Sequence, residues 1–276
     1  MQEIYDLHCH STASDGSLTP TEVVQRAKLQ GVTSLALTDH DTINGQKEAA
    51  EAALSNNINY IPGIELSTTW ENKCFHIVGL NIDPNNIALV TGIEKLQQLR
   101  TERAKKIALK LEKRRIPNAY EAVVKAANGG MITRSHFADF LLSQHYVSTK
   151  QEAFDRYLGQ GKTAFVSTIW ADLSDAIDWI NQSGGVAVVA HPLRYKLTAS
   201  WLRRFLSSFK EMGGQGIEVV TGRSTPDEIR RTMQYANQNE LLASIGSDFH
   251  TPDNKWVELG RLAPLPESIK PVWELF

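Results

Sequence analysis

Asp6-Leu7-His8-Cys9-His10 follows the apolar pair Ile4-Tyr5 and reads as the end of a β-strand. Alternate side chains of a strand share a face. Asp6, His8 and His10 are therefore expected on one face, with Leu7 and Cys9 on the other. Two imidazoles close together on a stiff strand end make half of a metal site. A lone His-x-His is a weak signal and fits an ordinary pair of loop histidines. It gains weight because acid and imidazole recur at the ends of later strands.

After His10 the stretch Ser11-Thr12-Ala13-Ser14-Asp15-Gly16-Ser17 is turn-rich. Asp15 is close enough to the histidine pair to swing in as a ligand. Thr19-Pro20-Thr21-Glu22 is a capping box with proline at the first helical position, and Gly31 is a natural helix stop. Val32–Leu37 is an apolar run, read as a buried strand, and it ends in Thr38-Asp39-His40-Asp41. Strand, helix, strand is a βαβ unit, which predicts a parallel sheet.

The unit repeats. Gln46–Leu54 reads as a helix, and Ile58–Ile61 as a strand running into Pro62-Gly63-Ile64-Glu65. Lys73–Leu80 reads as a strand carrying His76. Further on, Asp175–Asn181 is helical, and Val186–Ala190 is a strand ending at His191-Pro192. Ile217–Val220 is another strand, and Thr225-Pro226-Asp227-Glu228 opens a capped helix. Leu241–Ile245 is the last strand, ending in Gly246-Ser247-Asp248-Phe249-His250. Acids and imidazoles thus gather at the C-terminal ends of parallel strands, where α/β folds place their chemistry.

Residues 86–162 break this rhythm with helices and no convincing strand. Ala104, Ile107, Ala108 and Leu111 form an apolar helical stripe. The opposite face is basic through Lys95, Arg100, Arg103, Lys105, Lys106, Lys110, Lys113, Arg114 and Arg115. Two readings stay open for it, a solvated helix face or a local positive surface that guides a polyanion. The segment is expected to be a helical insertion capping a barrel built from residues 1–85 and 163–276.

The 276 residues are 42% hydrophobic and 22% charged, which is the composition of an ordinary soluble protein. The net charge of −2 gives no global pull toward nucleic acid or membrane. Cys9 and Cys74 do not make a disulfide framework. No signal peptide or bilayer-spanning run is read, so the expectation is a cytoplasmic protein, a monomer, without a membrane partner.

The candidate ligands are His8, His10, Asp15, His40, Glu65, His76, His191, Asp248 and His250. Six of the eight histidines fall in this set. Nitrogen and oxygen donors without thiolate suit Mn²⁺, Fe²⁺ or Zn²⁺ and argue against a structural zinc site. Nine ligands exceed what one ion takes, so two or three ions with a bridging carboxylate fit better. Mn²⁺ is the first choice.

This series, with its Thr38-Asp39-His40-Asp41, Gly63-Ile64-Glu65, Ala190-His191-Pro192 and Ser247-Asp248-Phe249-His250, resembles the polymerase-and-histidinol-phosphatase (PHP) family over nearly the whole chain. The resemblance implies a distorted (β/α)₇ barrel in an α/β fold. It also implies that His8, His10, Glu65 and Asp248 hold one ion, Glu65, His76 and His191 a second, and Asp15, His40 and His250 a third. Trp70-Glu71-Asn72, His76-Ile77-Val78-Gly79-Leu80, Thr133-Arg134-Ser135-His136-Phe137-Ala138, Tyr157-Leu158 with Gly161-Lys162, and Arg194-Tyr195 after His191-Pro192 are similar to one subgroup. That subgroup holds 5′→3′ exoribonucleases of the ribonuclease AM type and 3′,5′-nucleotide bisphosphate phosphatases. Leu193 departs from it, since relatives often carry glycine there, and a Cβ at this place could narrow the approach to Arg194.

Both activities are one reaction. Glu65, His76 and His191 are expected to hold a metal-bound hydroxide, since bound ions would activate water at neutral pH and stabilise the charge developing on phosphorus. Cutting the P–O bond at the 3′ oxygen of a 5′-phosphorylated nucleotide releases phosphate from 3′-phosphoadenosine 5′-phosphate. In RNA the same cut releases a mononucleotide. Arg134, His136 and Arg194 are the expected substrate clamp, because guanidinium grips phosphate bidentately. The rivals are a phosphatase limited to small molecules such as histidinol phosphate, an amidohydrolase, and a metal-binding module without turnover. The sequence shows no strand-end lysine placed to bridge two metals, as the amidohydrolase reading would need. Asp6, Asp39 and Asp41 are read either as supports of imidazoles or as strand-end acids. Cys74 is expected to be a small buried strand residue, His145 to be exposed, and Trp170, Trp179 and Trp256 to pack.

Overall fold

The computed structural model describes residues 3–276. Strands β1 (Tyr5–Asp6), β2 (Ser34–Leu37) and β3 (Asn59–Trp70) pair in parallel. β4 (Lys73–Leu80) then turns back antiparallel to β3. The turn is Glu71-Asn72, with φ of 45° and 60°. Positive φ at both central residues is what a tight two-residue hairpin needs. β5 (Ala171–Asp172) adds a short parallel pair on the outer end of β3. β6 (Val186–Val189) lies antiparallel to β4, and β7 (Gly216–Thr221) and β8 (Leu242–Gly246) continue in parallel.

The expected all-parallel sheet therefore contains one reversed strand. A two-residue turn leaves no length for a crossover helix, so β4 can only run antiparallel. The reversal matters for the site. It brings the N-terminal half of β4 to the end of the barrel where the other strands finish.

The sheet order is β1-β2-β3-β4-β6-β7-β8. Its two edges meet. Leu7 N–H donates to Ile245 O at 3.0 Å, Asp248 N–H to His8 O at 2.8 Å and His10 N–H to Phe249 O at 2.9 Å. This pairing nearly closes the sheet into a barrel. The interior holds Leu7, Ala36, Ile61, Val78, Val188 and Ala190.

The same closure breaks the expected alternation after β1. Leu7 lies in the barrel interior, whereas Cys9 packs in the outer layer with Val23, Leu35 and Leu37. The chain switches partners here, from β2 on one side to the loop after β8 on the other. Asp6 faces away from the two histidines. Fully buried, it accepts Ser247 N–H at 2.8 Å and Gly260 N–H at 2.9 Å and so anchors the loop that carries Asp248.

Helices α1 (Pro20–Leu29) and α2 (Gln46–Asn56) cover the first strands. The capping box of α1 forms as read, with Thr19 N–H donating to Glu22 Oε2 at 2.8 Å. The segment 86–162 contains α3 (Ile87–Glu112), α4 (Ala119–Ala127), α5 (Arg134–Ser143) and α6 (Lys150–Ala153). Its apolar cluster gathers Ala104, Ile107, Leu111, Phe137, Leu141 and Val166. The first half of α3 belongs elsewhere. Leu89, Ile93 and Leu96 pack into the barrel's outer core with α7 (Leu173–Gln182). Gly92 permits this, since a Cβ there would stand 2.3 Å from the Trp179 ring. α8 (Ala199–Glu211) and α9 (Pro226–Gln238) complete the outer layer. Trp170 packs at 7% exposure, but Trp256 stands 74% exposed, contrary to expectation. No helix of the described residues is long and apolar enough to cross a membrane.

Candidate metal centre

The barrel places the nine expected ligands at one end. His8 and His10 leave β1, Asp15 follows in the next loop, and His40 leaves β2 through a bridge to Glu65. Glu65 and His76 lie within β3 and β4. Glu65 pairs with Val78, two residues from His76 along β4, so the carboxylate and the imidazole share a face. His191 follows β6 in a left-handed conformation at φ 30°, and Asp248 follows β8 at φ 56°. His250 completes the set.

Glu65 is the hub. Its Oε1 lies 2.9 Å from His76 Nδ1 and 3.1 Å from His191 Nε2. Its Oε2 lies 3.3 Å from the Nε2 of both His8 and His10, and 2.8 Å from His40 Nδ1. Asp248 Oδ1 stands 3.6 Å from His8 Nε2 and 3.3 Å from His10 Nε2. Asp15 Oδ1 stands 3.4 Å from His250 Nε2 and 3.8 Å from His40 Nε2. Three sets of donors fall within mutual reach: His10, Asp15, His40 and His250; His8, His10 and Glu65; and His40, Glu65 and His76.

These residues fit divalent ions. Donors sharing an ion at about 2.1 Å stand about 3.0–3.4 Å apart for angles between square and tetrahedral. His8 Nε2 and His10 Nε2 are 3.1 Å apart, and most of the separations around Glu65 and Asp248 lie in or near that band. Asp15 Oδ1, His40 Nδ1, Glu65 Oε2 and His191 Nδ1 are buried without a hydrogen bond. Buried polar atoms ordinarily find partners, and here a cation would satisfy those of Asp15, His40 and Glu65.

The electrostatics agree. Burial alone would raise the Glu65 carboxyl, but His40, His76 and His8 outweigh it and hold it well below the usual range. Burial lowers the His76 imidazole, and the Glu65 carboxylate more than reverses this, taking it up to about 10. Burial, reinforced by His250 and His40, pushes His10 down to about 3. His10 is thus neutral, the form that binds a metal, and the positive charge held on His76 beside Glu65 is one that a bound cation would replace.

A surrounding shell fixes the ligands. Glu218 of β7 takes both His8 Nδ1 at 2.5 Å and the backbone N–H of His191 at 2.6 Å. It escaped the sequence reading, although an acid inside the apolar run Ile217–Val220 was a usable signal. Asp39 accepts Ser11 N–H at 2.7 Å and Ser14 Oγ–H at 2.6 Å, shaping the loop that carries Asp15. Asp41 accepts Ser67 N–H at 2.7 Å and the Arg100 Nε–H at 2.6 Å. The open question about these two acids thus resolves to loop and strand anchors. Thr133 Oγ1 donates to Asp15 Oδ2 at 2.8 Å, tying the start of α5 to the centre.

Gly246 is a tight point in this shell. A Cβ there would stand 2.3 Å from His8 Cβ and 2.9 Å from His8 N. The clash is with backbone and cannot be relieved by a rotamer. Gly246→Ala is expected to cost about 1–3 kcal/mol of stability, in the range of overpacked cores. It should also displace His8, which urea unfolding and metal titration of the variant will read.

A cavity of about 490 Å³ opens between the centre and the insertion. Asp15, His40, His76 and His250 border it on one side, and Arg103, Arg134 and Ser135 on the other. Arg100 and Arg103, read from sequence as part of an outer basic face, turn inward instead. Their guanidiniums lie 5.2 and 5.3 Å from the Trp170 ring centre. Arg100 is paired with Asp41, but Arg103 Nε is buried and unbonded. Burial, with the charges of Arg134 and Arg100, pushes Arg103 down to about 9, so it stays charged at neutral pH. Burial lowers Arg134 likewise.

The expected clamp is thus divided. Arg134 lines the cavity. His136 serves the start of α5, its Nδ1 accepting Thr133 N–H at 3.1 Å, and the cavity lining runs through Thr133, Arg134 and Ser135. Arg194 pairs with Asp248 and borders a second, smaller cavity. Cys74, expected to be buried, is exposed and lines the large cavity. His145 is exposed as expected.

Residues 6–219 match the PHP domain. The chain belongs to the PHP family. It is 48% identical over 276 residues to a 5′-3′ exoribonuclease of Haemophilus influenzae, covering 100% of each chain. It is 45% identical to the 5′-3′ exoribonuclease Rnm of Escherichia coli, over 99% of this chain and 94% of that one. It is 41% identical to a 3′,5′-nucleoside bisphosphate phosphatase of Chromobacterium violaceum, over 97% and 94%. Among solved structures, a C. violaceum amidohydrolase with bound sulfate and no metal superposes with a TM-score of 0.93 at 41% identity, over 98% of this chain and 95% of that one. A Bifidobacterium adolescentis protein assigned by inference as a metal-dependent phosphoesterase superposes with a TM-score of 0.84 at 25% identity, over 99% and 94%. The fold is that of the PHP barrel expected from the sequence.

Proposed function

We propose that this chain is a metal-dependent phosphoesterase that releases 5′-mononucleotides from the 5′ end of 5′-phosphorylated RNA. The same site hydrolyses the 3′-phosphate of 3′,5′-bisphosphate nucleotides. One observation carries the reading. A cluster of imidazoles and carboxylates faces, across one cavity, the half-buried guanidiniums of Arg103 and Arg134, which form no ion pair among the described residues. That is a place for a second phosphate beside the one undergoing reaction. The relatives named as exoribonuclease and as bisphosphate phosphatase support both substrates.

The site would hold two or three ions, Mn²⁺ in this reading, which would supply an activated water and stabilise the charge that develops on phosphorus. The nine ligands divide as the family resemblance implies, with Glu65 shared. His8, His10, Glu65 and Asp248 form one set, Glu65, His76 and His191 the second, and Asp15, His40 and His250 the third. Arg103 and Arg134 hold the 5′-phosphate, and the ring of Trp170 beneath Arg103 keeps that guanidinium in place. Arg194, beside Asp248, faces the scissile phosphate. His136 fixes the start of α5 and thereby the placement of Arg134. We take residues 86–162 as the inserted domain that closes the cavity over the barrel, and the enzyme as a cytoplasmic monomer.

The test is direct. Purified protein with Mn²⁺ is given 3′-phosphoadenosine 5′-phosphate and, separately, a 5′-phosphorylated RNA oligomer. Phosphate from the first and stepwise mononucleotides from the second are expected. Phosphate from the first with intact RNA would restrict the enzyme to small nucleotides. Turnover of neither would overturn the reading. Arg103→Ala is expected to lower kcat/KM on 5′-phosphorylated RNA by about 10- to 100-fold, the worth of one hydrogen bond to a charged group. Against the same RNA with a 5′-hydroxyl it should change little.

A further inference from the structure

A second cavity, of about 300 Å³, borders the metal centre and shares no lining residue with the first. His191 and Arg194 belong to its wall, so it meets the centre directly. Its floor is apolar, from Pro192, Leu193 and Val219, and Arg223 stands at its exposed rim. Its volume is at the lower end of ligand clefts, about 300–1,000 Å³.

The charges of this cavity are unequal in their engagement. Glu218 is 2% exposed, and its two oxygens are taken by His8 Nδ1 and His191 N–H. The Glu228 carboxylate accepts Thr225 N–H at 2.7 Å and Thr225 Oγ1–H at 2.9 Å, closing the cap of α9. Arg194 is held by Asp248. Arg223 makes no ion pair or hydrogen bond among the described residues. Glu218 is sealed from a ligand and Glu228 keeps its charge at the helix cap, so Arg223 is the one cation of this cavity that the described residues leave without a partner.

We infer that this cavity receives the ribose–phosphate segment immediately 3′ of the scissile phosphate in an RNA substrate, with Arg223 contacting its phosphate. The inference rests on the exoribonuclease reading of the site and extends it. The larger cavity, walled by the insertion, takes the 5′-terminal nucleotide. The chain that leaves after cleavage needs a path from the centre separate from that cavity, and this one meets the centre at His191 and Arg194. A 3′,5′-bisphosphate nucleotide ends at the scissile phosphate and has nothing to place there.

The experiment compares wild type, Arg223→Ala and Arg223→Lys, all loaded with Mn²⁺, on a 5′-phosphorylated RNA oligomer and on 3′-phosphoadenosine 5′-phosphate. Arg223→Ala is expected to lower kcat/KM on RNA about tenfold, mainly through KM, the scale of one charge-assisted contact at a solvated rim. Its salt dependence on RNA should become shallower by about 0.7 in log–log slope, the loss of one phosphate contact on a single strand. Turnover of the bisphosphate should be unchanged, and Arg223→Lys should keep most of the RNA activity. An unchanged RNA rate and salt slope in Arg223→Ala would overturn the inference. So would an equal loss on both substrates, which marks a structural role. Wild type that hydrolyses the bisphosphate but never shortens RNA would instead sink the exoribonuclease reading, and the inference with it.

Discussion

Glu65→Gln is expected to lower kcat/KM by about 10³-fold or more on both substrates, because ions held at such a site contribute several kcal/mol to the transition state and each 1.36 kcal/mol is tenfold. The reason is geometric. The two oxygens of Glu65 serve different neighbours, with His76 and His191 on Oε1 and His8, His10 and His40 on Oε2. Glutamine keeps the shape, removes the negative charge and turns one oxygen into an N–H donor. That donor would point at a cation on one side or the other. The residue is fully buried, so water cannot substitute for the lost oxygen. Circular dichroism should show the fold intact. A variant within tenfold of wild type would mean that Glu65 is a structural acid.

Removal of the ions is the second large effect. Chelation is expected to bring turnover to background, and Mn²⁺ to restore it. Stability should move with activity, since a ligand that binds only the folded chain stabilises it by about 2.7 kcal/mol at a hundredfold excess over Kd. For a chain of this size that is a rise in Tm of roughly 5–10 °C between chelated and Mn²⁺-saturated protein. The ions are expected to matter for the fold because they would satisfy buried donors and acceptors of the centre. Asp15 Oδ1, His40 Nδ1 and Glu65 Oε2 are buried without a protein hydrogen bond. Differential scanning fluorimetry with a parallel rate assay reads both quantities. Undiminished turnover after exhaustive chelation would remove the metal from the chemistry.

How far the sequence could be read depended on how local each signal was. The strand ends after Leu37, Ala190 and Gly246 were legible because apolar runs stop abruptly at His40, His191 and Asp248. The capping boxes at Thr19 and Thr225 were legible because their partners lie three residues away. The direction of β4 was not, since it depends on two residues, Glu71 and Asn72, adopting positive φ. Nor was the break after Asp6 legible, because it comes from the closing contact with the loop after β8, some 240 residues away in the chain. Arg103 was misplaced for a related reason. A helical period tells which residues share a face, but not which neighbour that face meets. Only the Trp170 loop shows that Arg100 and Arg103 turn toward the cavity and the remaining basic residues do not.

The most direct single measurement is the divalent metal content per chain of wild type and Glu65→Gln, by mass spectrometry of the elements after Mn²⁺ loading and dialysis, alongside phosphate release from 3′-phosphoadenosine 5′-phosphate by the same samples. A shared carboxylate at a multinuclear phosphoryl-transfer centre requires about two to three ions in wild type, at most about one in the variant, and turnover that falls with them. Equal metal content in the two proteins, or full turnover by a chain holding none, would contradict it.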